Sequence, residues 1–324
     1  MPHLLIAGKL HPSGLDLLRA APVTFDYVEE ISEPSYQAYL PRADALVIRT
    51  QPLSSASIAR APGLKIVSRH GVGYDAVDVA ALNARRVPLC IVGDVNSSGV
   101  AEHAMMLILA ASHRLIAADR ATRGGDWGWR NGLQTHEVAG KRLLVVGFGR
   151  IGQKLAGLAR AFGMQVHAYD PYIPADHWPE GAIRADDLGV ALSEADAVSL
   201  HLPRADRAVI GTTELAVMKP TAVVVNTARG GLVDEAALAE ALRAGRLGGA
   251  GIEVFAAEPP GSDHPLFGLD RAVLTPHNAA LTVECAERMA VASVQNVLDF
   301  FAGKLDPALV VNRAALGGIK EPAK

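Results

Sequence analysis

The 324-residue chain predicts an α/β protein made of two doubly wound units. Two series of short apolar runs alternate with stretches of helical spacing, one before residue 95 and one after Lys141. Such alternation builds parallel sheets flanked by helices. The length exceeds that of one ordinary domain. Half of the residues are hydrophobic but only 5% are aromatic, a composition suited to packing helices closely on strands buried on both faces.

In chain order, the first series offers strands at Leu4–Ala7, Val23–Val28, Ala45–Ile48, Lys65–Val67 and Val87–Val92. Helical stretches lie between them, opening at Pro12-Ser13 and spanning Asp78–Arg85, so this unit is a small doubly wound layer. Residues 98 to 123 predict one long helix, and Gly124-Gly125-Asp126-Trp127-Gly128-Trp129 predicts an ordered loop. Six strands are expected next, at Arg142–Val146, Gln165–Tyr169, Ala197–His201, Ala222–Asn226, Gly249–Val254 and Ala272–Thr275. Asp234 to Leu242 is a helix with an acidic first turn, closing near Gly245. Thr282 to Gly303 carries apolar residues at helical spacing, including Met289, Ala290, Val297 and Phe300, and must bury that face on the first unit. Two crossing segments and a cleft between the units are therefore expected, with frayed residues from Gly317 to Lys324.

One turn carries more information than the rest. Gly147-x-Gly149-x-x-Gly152 follows the apolar run ending at Val146, and Asp170 ends the next run. The first glycine permits a tight strand-to-helix turn, the second lets a pyrophosphate approach the backbone, and the third lets helix and strand pack closely. Helix amides then face the phosphates. Asp170 can accept hydrogen bonds from both hydroxyls of an adenosine ribose and repels a phosphate there, so the expected cofactor is NAD.

Several classes of function are disfavoured. A net charge of -3 gives no basic field for nucleic acid or anionic lipid. Cys90 and Cys285 stand far apart and in no metal-ligand spacing, so neither a disulfide nor a metal is expected, and a reducing cytoplasm fits. The N-terminus lacks a secretory pattern. Val100 to Ala118 includes Glu102, His103, His113 and Arg114, too polar for a membrane span.

Three residues at strand ends could carry chemistry. Arg229 follows the run Val223–Asn226 and precedes two glycines, and its planar fork can bind a carboxylate or keto oxygen; a surface ion pair is the competing reading. Glu258 and His277 also follow expected strands. An imidazole exchanges protons near neutral pH, and a carboxylate behind it fixes the tautomer. Either residue alone is more often structural. With a nicotinamide they imply hydride transfer to or from a carbon whose oxygen exchanges a proton, hence a 2-hydroxy acid and 2-oxo acid pair.

These motifs resemble the D-isomer-specific 2-hydroxyacid dehydrogenases, from Leu4 to about Asn312. The resemblance implies a Rossmann dinucleotide-binding domain, residues 98–283, inserted in a flavodoxin-like substrate domain made of residues 1–97 and a C-terminal helical segment, 284–324. It implies that Arg229, Glu258 and His277 form the catalytic set, with His277 as acid and base, Glu258 orienting it, and Arg229 on the carboxylate or carbonyl. The loop Arg69-His70-Gly71-Val72-Gly73-Tyr74-Asp75 is similar to the family's substrate loop, with the Val72 and Gly73 amides on the carboxylate. The Arg150 and Ile151 amides are assigned to the pyrophosphate, Thr227 to the nicotinamide side and Pro203 to the adenine side. Two departures stand out. Glu253 occupies a position where many members have an aspartate that holds the carboxamide, and it is expected to reach with altered geometry; Asn278 replaces a commoner aliphatic residue.

The identity of the acid stays open. Arg49, in an Arg-Thr pair resembling phosphoglycerate-type members, could bind a distal phosphate of the substrate or make a structural ion pair. A homodimer through Val100 to Arg120 and the Trp127 and Trp129 loop is expected by resemblance, and no regulatory domain is expected after residue 312. Two other readings remain: an NAD(H)-sensing interaction protein of the same fold, and a phosphonate- or formate-type dehydrogenase.

Overall fold

The structure is a computed structural model, and it describes residues 1 to 317. The expected fraying concerns Gly317, which is described, and residues 318 to 324, which lie outside the described residues. Two compact units divide the chain: Met1–Asn96 together with the segment from Leu281 onward, and Ser97–Ala280.

Among the described residues the first unit holds five parallel strands: β1 (His3–Ala7), β2 (Thr24–Val28), β3 (Ala45–Ile48), β4 (Ile66–Arg69) and β5 (Leu89–Cys90). Their order is β2-β1-β3-β4-β5, the flavodoxin-like order, with its topological switch between β1 and β3. Alternate residues face opposite sides, as the period of a strand requires. Leu5, Leu46, Ile48 and Val67 enter one core, while Leu4, Ile6, Val47 and Ile66 enter another. The second core also receives Ala290, Val294 and Val297 of the Val283–Phe301 helix. The apolar stripe that needed a partner thus covers one face of the first sheet, with Thr282 capping the helix through the Cys285 amide at 3.2 Å.

β5 is shorter than the apolar run Val87–Val92. Ile91 donates to the Leu309 carbonyl at 3.0 Å and Val92 to the Gly71 carbonyl at 3.3 Å, so loops rather than β4 take the far end of the run.

The second unit contains β6 (Arg142–Val146), β7 (Gln165–Tyr169), β8 (Ile183–Arg184), β9 (Ala197–Leu200), β10 (Val223–Asn226), β11 (Gly249–Ile252) and β12 (Ala272–Leu274). All seven pair in parallel in the order β12-β11-β10-β9-β6-β7-β8. The sequence predicts six; β8, two residues long, is the addition. Read outward from β6, this is the Rossmann order, and the switch point lies between β6 and β9.

The expected helix over 98 to 123 is two helices, Ser97–Ser112 and Leu115–Arg123, bent by 58°. Arg114 takes a left-handed conformation with φ 52° at the break, and its guanidinium reaches the Gln134 amide oxygen at 3.3 Å. No single helix among the described residues is long and apolar enough to cross a membrane. The bent pair passes that test jointly, but Ala104, Leu107, Ile108 and Ala111 of its first helix belong to the core of the unit. The tryptophan loop ends in a short 3-10 helix, Trp127–Gly132.

Candidate active site

The glycine turn follows β6 directly. Gly147 adopts φ 92°, and a Cβ there would come within 2.5 Å of the His201 carbonyl oxygen, so both conformation and space demand glycine. A Cβ on Gly152 would meet the Gly147 carbonyl oxygen at 2.4 Å, the close helix-to-strand approach expected of the third glycine. Gly149 differs: a Cβ there would meet nothing within 4 Å. It caps the Arg150–Ala161 helix without a side-chain hydrogen bond, so the opening amides, including those of Arg150 and Ile151, have no capping side chain.

Asp170 follows β7 and stands beside this turn. One carboxylate oxygen accepts the Phe148 amide at 2.9 Å and the other the Tyr172 amide at 3.0 Å. Pro203 lies exposed beyond β9. Thr227, beyond β10, is 8% exposed, and its buried hydroxyl oxygen has no hydrogen-bond partner among the described residues.

Arg229, Glu258 and His277 are brought together from the ends of β10, β11 and β12. Nδ1 of His277 lies 2.7 Å from Oε2 of Glu258. The other Glu258 oxygen accepts the Phe255 amide at 3.0 Å. Burial opposes charge on Glu258, but the His277 hydrogen bond, the Phe255 amide and the charges of His277 and Arg229 outweigh it, holding the carboxyl below the usual carboxylate range. The Arg229 turn is built by Asn226, which accepts the Ala228 amide at 3.1 Å and donates to the Arg229 carbonyl at 2.8 Å.

Two carboxylates make brace contacts that the sequence does not show. Glu235, expected only as part of an acidic helix start, accepts the Ala256 amide at 2.7 Å and contacts Nε2 of His264 at 2.8 Å, steadying the loop that carries Glu258. Glu253 is completely buried. Its oxygens accept the Thr275 hydroxyl and the Ala279 amide, and Nε2 of His103 lies 3.2 Å away. In this structure the carboxylate, expected from resemblance on the nicotinamide carboxamide, reaches the 275–279 turn.

The remaining expected residues belong to the first unit. Val72 and Gly73 sit half-buried in the loop after β4, behind Gly71 at φ 143°. Arg49 follows β3, half-buried, and donates to the Lys9 carbonyl at 3.3 Å. Burial pulls its pKa down, with Tyr27 acting against this. The neighbouring His70 is 5% exposed, and burial, followed by the charges of Arg49 and Arg69, lowers its pKa to about 3.

Sheet order, glycine turn and strand-end acid define a Rossmann-type dinucleotide-binding protein. The profile of the D-isomer specific 2-hydroxyacid dehydrogenase NAD binding domain matches residues 105–279, and the chain belongs to that family. A D-3-phosphoglycerate dehydrogenase of Mycobacterium tuberculosis is 42% identical over 313 residues, 96% of this chain and 59% of the relative. The chain therefore spans less than two thirds of the length of that relative. A glyoxylate reductase of Korarchaeum cryptofilum is 35% identical over 318 residues, covering 95% of this chain and 96% of the relative. The crystal structure of the TT0316 protein from Thermus thermophilus superposes with a TM-score of 0.88 at 33% identity, over 95% of this chain and 99% of the other.

The residues present fit NAD. Space over Gly149, uncapped helix amides, a carboxylate at the β7 end and the orphaned Thr227 hydroxyl offer what phosphate, ribose and nicotinamide would engage.

Proposed function

We propose that the chain is an NAD-dependent dehydrogenase that interconverts a small D-2-hydroxy acid and its 2-oxo acid. The observation that carries this reading is the 2.7 Å contact of His277 Nδ1 with Glu258, joined by Arg229, at the strand ends of a family NAD-binding domain. Bound NAD(H) supplies hydride chemistry at the carbon bearing the substrate oxygen. With Nδ1 engaged by Glu258, the free ring nitrogen Nε2 of His277 gives a proton to that oxygen in reduction and removes it in oxidation. Arg229 polarises the carbonyl and pairs with the adjacent carboxylate. The Val72 and Gly73 amides are proposed, on family resemblance, to bind a substrate carboxylate.

The unit Met1–Asn96 with the segment from Leu281 is proposed as the substrate domain. Arg49, which donates to the Lys9 carbonyl at 3.3 Å and acts with Arg69 on the buried His70, favours a substrate with a distal anionic group; the mycobacterial relative is named for such an acid. Assays of phosphohydroxypyruvate, hydroxypyruvate, glyoxylate and pyruvate with NADH and with NADPH test both points. Reduction of phosphohydroxypyruvate at the lowest KM, with NADH preferred, supports them; no turnover on any of these acids refutes the activity.

A homodimer is proposed from exposed apolar side chains on the Leu115–Arg123 helix and the following segment, with Leu115 54%, Trp127 66% and Leu133 86% exposed. Light scattering at micromolar concentration is expected to give twice the chain mass, and a monomer refutes it. A cytoplasmic location is proposed on the two free, buried cysteines.

A further inference from the structure

Glu253 follows β11, and both its side chain and its backbone hold the chain around His277. The Thr275 hydroxyl and the Ala279 amide donate to its carboxylate. The His277 amide donates to its carbonyl at 3.1 Å, and the Thr275 amide to the Ile252 carbonyl at 3.0 Å. Between the two side-chain anchors runs Pro276-His277-Asn278, with His277 at φ 49°. A non-glycine residue in that region is sparsely populated and persists only where its surroundings enforce it.

The carboxylate has little left to offer a ligand. Both oxygens are engaged by the protein, Nε2 of His103 on the Ser97–Ser112 helix stands 3.2 Å from Oε2, and the residue is fully excluded from solvent. A buried carboxylate satisfied in this way rigidifies what it binds. We infer that Glu253 is a positioning residue for His277: it pins Thr275 and Ala279 on either side of a left-handed turn, so that the imidazole is presented to Glu258. An aspartate at the same position, one methylene shorter, cannot hold both anchors with the backbone where it is.

This inference rests on the proposed proton-transfer role of His277. The charged and titratable groups around the two carboxylates are Arg229 and His277 at Glu258, and His103 at Glu253. The test uses Glu253→Asp and Thr275→Val in the full chain, with NADH affinity by fluorescence titration, kcat and KM, the pH dependence of kcat/KM, and crystal structures of both variants. Misplacing a proton-transfer group by about 1 Å costs up to about a hundredfold, so kcat is expected to fall about tenfold to a hundredfold in Glu253→Asp, with the NADH Kd within about twofold. Thr275→Val, which removes one anchor, is expected to shift kcat in the same direction by less, and both variants are expected to displace the pH profile. The crystal structures are expected to show the 275–279 turn moved and His277 farther from Glu258.

NADH affinity falling in parallel with kcat would make Glu253 a cofactor ligand and overturn the inference. So would an unchanged kcat and pH profile with only a lowered melting temperature, the mark of a purely structural brace. If the unmodified protein reduces no 2-oxo acid, the proposed activity fails, and the position of the turn in the two variant structures still decides whether Glu253 holds it.

Discussion

Glu258 contacts His277 through one carboxylate oxygen at 2.7 Å and holds the Phe255 amide with the other at 3.0 Å. The carboxylate is thus anchored to its own strand end before it orients the imidazole. Removing the imidazole removes the proton donor and leaves the glycine turn untouched. His277→Ala is expected to lower turnover about 10²- to 10⁴-fold, with NADH binding nearly intact, as steady-state kinetics and a binding titration would show. Loss of NADH binding in step with turnover would count against proton transfer. Glu258→Gln has no charge and a single acceptor oxygen, so it cannot accept from both the Phe255 amide and Nδ1–H, and it is expected to lower kcat more than it raises KM.

The three glycines of the turn separate by their surroundings. Gly152→Ala places a methyl 2.4 Å from a carbonyl oxygen, a backbone clash that is expected to cost about 1–3 kcal/mol of stability. Gly149→Ala meets no protein atom within 4 Å, so its melting temperature is expected to stay unchanged while NADH affinity drops tenfold or more (about 1.4 kcal/mol or more). Thermal melts and NADH titrations on the pair check this. Equal destabilisation by both would show that the space over Gly149 is not kept for a ligand.

Asp170 is held at the end of β7 by the Phe148 and Tyr172 amides at 2.9 and 3.0 Å, and a fixed negative charge there disfavours a second phosphate on the ribose. Asp170→Ser is expected to lower kcat/KM for NADH and raise it for NADPH, changing the ratio by about a hundredfold or more, since a charge repulsion and a charge-assisted hydrogen bond are removed together. An unchanged ratio would place coenzyme choice elsewhere.

Much of this arrangement can be read along the chain because its signals are local. Runs such as Ala45–Ile48 are apolar at every position, and that is what a strand buried on both faces requires. The glycine turn and Asp170 lie within one βαβ unit, so their spacing is itself the evidence. What escaped the reading is non-local or has no side-chain marker. β8 is two residues long, below any periodicity. The helix break at Arg114 has no glycine or proline to announce it and arises where the chain turns left-handed. Glu258 and His277 were each visible as strand-end residues, but their contact joins positions 19 apart. Glu253 was visible as well, but its partners at 103, 275 and 279 were not, because they are set by how β11, β12 and the Ser97–Ser112 helix pack.

Acid stability follows from His70. In the folded chain, burial and then the charges of Arg49 and Arg69 depress its pKa from 6.5 to about 3. An unfolded histidine takes up a proton below its ordinary value, whereas the folded one stays neutral until about pH 3. Protons are therefore bound on unfolding, and stability is lost as pH falls from about 6.5 toward the depressed value, by up to about 1.4 kcal/mol per unit of pH. His201, whose pKa burial lowers to about 4, contributes with the same sign. Glu253 and Glu258, both held below the usual glutamate range against the cost of burial, act in the same direction but only below about pH 4.5, the ordinary value. Between pH 6.5 and 5 the histidines alone among these four set the slope. His70→Gln is expected to flatten the fall in urea midpoint over that interval relative to the unmodified protein while leaving the pH 7 to 8 region parallel. Identical slopes in the two proteins would mean that His70 is protonated while folded.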